Sequence, residues 1–497
     1  MNYKSDFDPK EIGYYHAKDD KKLTSFTYRD INYSCGMDNI ISEGKAKLLC
    51  VPVEFTDYPF YGAANSPYSS KAEMQEDFNI AFNGEPEDTG YWESLSSFYK
   101  KSSYGKFDLN VDLCDVYQTN LTADAFAQAD ANYHDESGML VQAGKVIETL
   151  QSIVERLRSS KGDAFLKQYD NDQDGWIDGI IMMYSCPDFK SDSVIRRIDP
   201  SGMTYWAFAY WAALELGEPS TPTANLFFWS SYNFLHEAAK KPKVDCHTII
   251  HEFGHMLGLD DYYPSGTSNW NAAGGLCMMD ENILDHDMFS KTALGWTEPY
   301  VVTGKKNITL TIKPSQTSGD CIIVPAGDSW NQTAFSEYLI LDLYTPYGLN
   351  EKDSTYSYSS RTLGYNIPGV RLYHVDARVA SYSNYPSPTW TYYLKDSLQN
   401  PQRLSYQVAA SNCYKGTGRC DDSFSLLSIV DAANVKNFRR GAMADNDCLF
   451  QSGDVFTFQK YRSYFPNGDR WNDGSSSTVS IVFNSVSANL AEISFSF

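Results

Sequence analysis

The sequence predicts an α+β protein: a region mixing helices and strands over residues 45–299, then a β-rich, sandwich-like region over residues 300–497. Two observations predict it. Helical spacing of apolar residues is confined to the first region. After GWTEP, apolar runs become short and are separated by Gly, Ser, Asn and Asp. Residues 1–44 are polar, rich in Tyr, Asp and Lys, and aperiodic; a tail, a pro-segment and an edge strand are the options for them.

KLLCVPVEF, from Lys47, is an apolar run of β formers and reads as a buried strand. Trp92, Leu95, Phe98 and Tyr99 follow at helical spacing, and FDLNVDLCDVY as a strand. The clearest helix spans residues 140–158, where Val146, Ile147, Leu150, Val154 and Leu157 share a face. GIIMMYSC is the next strand, and a second helix covers residues 245–259, with Gly258 as its stop. The aromatic stretch TYWAFAYWAALELG reads as core filler. NITLTI, YLILDLY, GVRLYHVD, STVSIVF and AEISFSF are the strands of the last region.

A net charge of −22 disfavours nucleic acid and anionic membrane surfaces, which select clustered Lys and Arg, but suits divalent cations. No stretch is long and apolar enough to span a bilayer, and MNYKSDFDPK lacks the apolar core of a signal peptide. The ten Cys are scattered with no CxxC pair, which argues against a cysteine zinc ribbon; Cys413 and Cys420 could close a small disulfide loop.

One segment carries chemistry: His251-Glu252-Phe253-Gly254-His255-Met256-Leu257-Gly258-Leu259-Asp260-Asp261. Residues four apart on a helix lie one above the other, so His251 and His255 can offer two nitrogens to one Zn²⁺. Glu252 is placed to act as general base toward a metal-activated water. Gly258 lets the chain turn sharply, and Asp261 can return as the third ligand; Asp260 and Glu281 are the alternatives. A chance HExxH match is expected on the order of 0.01 times in such a chain. His247, one turn earlier, reads as a packing or hydrogen-bonding partner. Downstream, Met279, ahead of Met278, is the candidate for an apolar floor beneath the metal, a role compatible with plain core filling.

The loop Asp170-Asn171-Asp172-Gln173-Asp174-Gly175-Trp176-Ile177-Asp178 places oxygens at alternate positions and then a Gly, the first part of a calcium loop. Asp170, Asp172, Asp174 and Asp178 are its candidate side-chain ligands and Trp176 contributes a carbonyl; Ile181 stands where a bidentate Glu is expected. His374 and Asp376, two apart on a strand, read as a structural pair. Cys35 suggests a latency thiolate for the fourth zinc position.

HEFGHMLGLDDYY followed by MMDENILDHDMFSKTALGW resembles the immune inhibitor A family of secreted bacterial zinc metallopeptidases. KLLCVPVEFTDYPF, SSFYKKSSYGKFDLNVDLCDVY, IPGVRLYHVD and LFQSGDVFTF extend the resemblance over roughly residues 47–497. It implies a metzincin-like domain, a mixed twisted sheet plus an active-site helix, with zinc held by His251, His255 and Asp261. It further implies Glu252 as base, Met279 in the Met-turn, structural calcium, an extracellular location, and protein or peptide substrates. Two positions depart from the family: Asp260 stands where Pro is common, and Glu281 stands where some metzincins keep a Tyr, so the oxyanion stabiliser is unassigned. The rival class is an adhesin or binding protein retaining a decayed peptidase domain, which would be expected to lose Glu252 or a His first; all are present.

Overall fold

The computed structural model describes residues 13–17, 28–33, 39–135, 137–212, 217–237, 244–265, 268–304, 306–327, 330–359, 361–383, 389–392 and 407–497. Cys35, and with it the latency idea, lies outside the described residues. The architecture is mixed α and β with several sheets. Two compact units are distinguishable: Gly36–Lys101 with Gly105–Gly258, and Leu259–Phe497 with Ser102–Tyr104 and the N-terminal strand described below.

The first unit is built on a sheet that is buried on both sides. Its central strands, β1 (Gly44–Glu54) and, further along, Ile180–Tyr184 and Leu226–Ser231, are near-continuous apolar runs because each is covered on both faces. Helices α1 (Lys71–Asn83) and α2 (Leu95–Ser102) precede β2 (Phe107–Leu113). Then come α3 (Ala123–Ala131), α4 (Gly144–Lys161), the short β3 (Trp176–Ile177), β4 (Ile180–Tyr184), β5 (Phe208–Trp211), β6 (Leu226–Ser231) and α5 (His247–Met256). The sheet order is β2-β1-β4-β6-β5, parallel except for the edge strand β5.

Helix α4 buries Val146, Leu150, Val154 and Leu157 of the face read from the sequence, while Ile147 is only partly buried and Ile153 is buried in addition. It starts at Gly144, not near residue 140, because Ala143 is left-handed (φ 54°) and cannot continue a helix. Leu140 is 63% exposed, and Asp130 caps the new start by accepting the Lys145 N–H at 2.9 Å. The aromatic stretch is also corrected in part. Tyr205 is fully buried, but Phe208–Trp211 is an edge strand with Tyr210 37% exposed, so one side of it faces solvent.

In the second unit, Tyr14–His16 is an edge strand antiparallel to β7 (Tyr300–Val302). The helices α6 (Met278–Glu281) and α7 (Met288–Ala293) precede β7, followed by β8 (Ile308–Ile312), β9 (Ile322–Pro325), β10 (Glu337–Tyr344), β11 (Gly369–Asp376) and β12 (Leu427–Ile429). Strands β13 (Val455–Thr457), β14 (Ser480–Val486) and β15 (Ala491–Ser496) complete it. One sheet runs from the N-terminal strand through β7-β9-β10-β11-β12, and a second is ordered β8-β15-β14-β13. Leu339, Leu341 and Leu372 of the first sheet and Ile481, Phe483 and Ile493 of the second belong to one apolar cluster. The units part at Gly258, upstream of the boundary expected near residue 299, because the segment that follows packs on the β-rich unit, with α7 against β10.

That unit also buries a charge pair. Arg371 grips Asp342 through Nε (3.1 Å) and Nη2 (2.8 Å), and Ser315 donates to the same carboxylate at 2.6 Å. Arg371→Met strands a desolvated carboxylate, so chemical denaturation should show a loss of about 3–5 kcal/mol. A loss under about 1 kcal/mol would mean that the pair is solvated in solution. The described cysteines are all buried and unbridged, Cys413 and Cys420 included, so the expected disulfide loop is not formed here. Among the described residues, no helix is long and apolar enough to cross a membrane.

Candidate metal centre

Helix α5 is buried along its length except at His255, which is half-buried. Apolar Ile249, Ile250, Phe253 and Met256 seat it in the first unit, packed against β5 and β6. Asp245 accepts the His247 main-chain N–H at 3.1 Å, placing a negative charge at the helix start where the dipole favours it. The same carboxylate oxygen lies 2.6 Å from His247 Nδ1, and Trp92 stacks on that imidazole at 4.0 Å and 14°. His247 is therefore a packed, hydrogen-bonded anchor of the helix. Tyr99 donates to the Ile250 carbonyl at 2.7 Å, bracing the helix one residue before His251.

His251 and His255 lie one turn apart, edge to face, with ring centroids 5.0 Å apart and planes at 89°. Glu252, between them in sequence, is 7% exposed. The helix ends as the Leu257 N–H bonds to the Phe253 carbonyl and the Ile40 N–H to the Met256 carbonyl. Gly258 then adopts φ 99°, the left-handed turn the sequence required of it. Six residues after His255, Asp261 offers a carboxylate oxygen, and one ligand atom from each of His251, His255 and Asp261 lies within 4.8 Å of the others. Two imidazole nitrogens and one carboxylate oxygen are a donor set suited to zinc.

The alternatives for the third position are otherwise engaged. Asp260 accepts from Ser411 Oγ at 2.7 Å and from the Asp261 N–H at 3.0 Å. Glu281 is ion-paired with Arg361. Met279 is fully buried in the short helix α6, and its carbonyl accepts the Tyr262 N–H at 2.8 Å, tying that turn to the chain just after Asp261. Tyr262 also meets Ser290 Oγ through its hydroxyl at 2.8 Å, and Asn412 donates to its carbonyl at 3.1 Å.

Sequence reasoning missed the brace around Asp261. Ser411 and Asn412 hold its two neighbours, and Cys413 Sγ sits 3.9 Å from its Oδ2. Burial, reinforced by Asp261, pushes the Cys413 thiol up to about 12. These partners lie about 150 positions downstream, and no local spacing announces them.

Asp280 adds a titrating group to the same unit. Its Oδ2 accepts the Gly275 N–H at 2.6 Å while Oδ1 is buried without a hydrogen-bond partner, and burial raises its pKa from 3.8 to about 7. The folded chain therefore keeps a proton that the unfolded chain releases between about pH 4 and about pH 7, so this group's contribution to stability falls as pH rises through that window. In EDTA, urea midpoints at about pH 5 and about pH 8 should differ less for Asp280→Asn than for the wild type. An unchanged difference would place the titration elsewhere.

In the acidic loop, Asp170, Asp172 and Asp174 converge, with one oxygen from each within 4.8 Å of the others. Asp170 accepts the N–H groups of Asp174 (3.0 Å) and Gly175 (3.1 Å), and Trp176 donates its N–H to Asp174 at 2.8 Å. Gly175 has φ 98°, and a Cβ there would lie 2.3 Å from the Gly217 carbonyl oxygen, so only Gly fits the turn. Asp178 does not join the cluster: its carboxylate faces Asn171, accepting the main-chain N–H at 3.1 Å and the side-chain amide. Trp176 lies in β3, paired in parallel with Thr223–Ala224. Three hard oxygen donors around a tight turn fit calcium.

His374 and Asp376 form no metal cluster with other described residues. His374 Nε2 lies 2.9 Å from Glu337 Oε1, and Asp376 is gripped by Arg378 at 2.7 Å, a buried structural network.

No protein-family model matches the chain, and no curated protein sequence matches it.

Proposed function

We propose that the chain is a zinc-dependent endopeptidase with a metzincin-like catalytic domain, akin to the immune inhibitor A family, acting outside the cell on proteins or peptides. The observation that carries this reading is the convergence of His251, His255 and Asp261, with Glu252 on the same helix as the two imidazoles. When bound, zinc supplies the positive charge that polarises a carbonyl and acidifies a water molecule. Glu252 holds the proton at a carboxylate oxygen and delivers it to the amide nitrogen of the departing strand. Because Glu252 is 7% exposed, little bulk water competes for that proton. The Ser411–Asn412 brace keeps Asp261 in position through its neighbours. The rival reading, a decayed peptidase kept for binding, has no support from the residues themselves, since all four chemical groups are in place.

Casein cleavage by the intact chain tests the proposal. Chelation should abolish it and stoichiometric zinc restore it. Cleavage that persists after complete removal of metal would sink the peptidase assignment.

Calcium at the Asp170, Asp172 and Asp174 cluster is proposed as a structural ion. At about 1 mM it should raise Tm by about 3 °C or more, and Asp170→Ala should erase that rise. An equal rise in the variant would move calcium to another site.

A further inference from the structure

Two cavities of the second unit meet at Arg439 and Ser463. The smaller, about 270 Å³, is lined by Ile429 and Phe438, with Trp270, Tyr464 and Asn437 around them. The larger, about 770 Å³, extends past Arg462, Phe465 and Pro466. The Arg439 guanidinium stacks 3.9 Å from the Trp270 ring centre, a contact that holds the charge at the cavity wall. Lys415 Nζ lies 4.8 Å from the same ring, but it is committed to the Phe424 carbonyl. Lys436 is likewise committed, to Asp445 at 2.6 Å.

Arg439 and Arg462 are different. Neither side chain has an ion pair or a hydrogen bond among the described residues. Partial burial also holds Arg439 below its usual pKa, with no anion to offset the cost. A carboxylate arriving there would recover that cost through charge-assisted hydrogen bonds.

We infer that this groove binds an acidic stretch of polypeptide, one carboxylate seated against Arg439 beside Trp270 and another against Arg462. The composition of the walls favours a polypeptide over an acidic sugar. Phe465, Pro466 and Val435 offer apolar contact to side chains, and the side-chain amide of Asn437 can bond to a passing main chain. As a means of holding a substrate the groove rests on the peptidase reading; as a binding site it does not.

The test is fluorescence anisotropy on the full-length Glu252→Gln chain with a labelled peptide of alternating Glu and Ala. Saturable binding is expected, absent with the corresponding Lys and Ala peptide. Arg439→Gln and Arg462→Gln should each weaken it by at least about tenfold. Arg440→Gln, a neighbour that lines neither cavity, should leave it unchanged. No binding up to about 1 mM peptide would overturn the inference. So would equal binding by Arg439→Gln with an unaltered Tm, or tighter binding of an oligogalacturonate than of the peptide. Failure of the wild type to cleave casein would sink the peptidase reading and leave this result standing.

Discussion

Glu252→Gln is expected to lower casein cleavage by at least about 100-fold while leaving the protein folded and its zinc content unchanged. The substitution keeps the size and hydrogen-bonding capacity of the side chain but removes its ability to take a proton. Glu252 lies on α5 between two imidazoles that it does not replace as ligands, so zinc content should stay at the wild-type value. At 7% exposure the side chain is buried, but the amide is isosteric with the carboxylate, so Tm should move by no more than about 2 °C. Residual activity near the wild-type level would assign the proton transfer to another group, or the cleavage to another protein in the preparation. A variant that loses zinc as well would show that Glu252 supports the metal rather than the proton.

Asp261→Ala should remove most of the bound zinc, whereas Asp260→Ala and Glu281→Ala should keep it. The three acids are close in the sequence or comparable in chemistry, but only Asp261 presents an oxygen within 4.8 Å of the His251 and His255 ligand atoms. Asp260 spends its carboxylate on Ser411 and on the Asp261 N–H, and Glu281 spends its own on Arg361. Loss of a zinc ligand should weaken affinity by more than about 100-fold, beyond the range that outer partners command. Elemental analysis after gel filtration reads the zinc carried by each chain. Zinc retained by Asp261→Ala and lost by Asp260→Ala would reverse the assignment. Asp260→Ala has its own signature: it frees Ser411, and a modest fall in zinc affinity without loss of stoichiometry is expected.

Much of the candidate site was legible because it is local. The placement of His251 above His255 follows from helix geometry alone, and Gly258 marks where the chain must leave the helix. The β-strands after residue 300 were legible for a similar reason. Runs such as YLILDLY and GVRLYHVD became β10 and β11, each buried throughout. Less was legible where a distant partner decides the outcome. The start of α4 moved because Ala143 took a left-handed conformation and Asp130 supplied a cap. Asp178 has the right spacing for a calcium ligand, yet Asn171 claims its carboxylate. The stretch around Tyr210 has a core-like composition, but it occupies the edge of its sheet.

By itself, the sequence determined the spacing of the donors, the acidic loop and the succession of helices and strands, since each depends on residues within a turn or a strand of one another. Only the tertiary structure decided which acid faces the imidazoles and which is spent elsewhere. It alone brought Ser411, Asn412 and Cys413 to the turn that carries Asp261. It also set Tyr14–His16 beside Tyr300–Val302, and left Arg439 stacked on Trp270 with no carboxylate partner among the described residues. The physical reason is common to all of these. A carboxylate or guanidinium carries the same charge wherever it stands in the chain, and its partner is chosen by the packing that brings distant segments within hydrogen-bond reach.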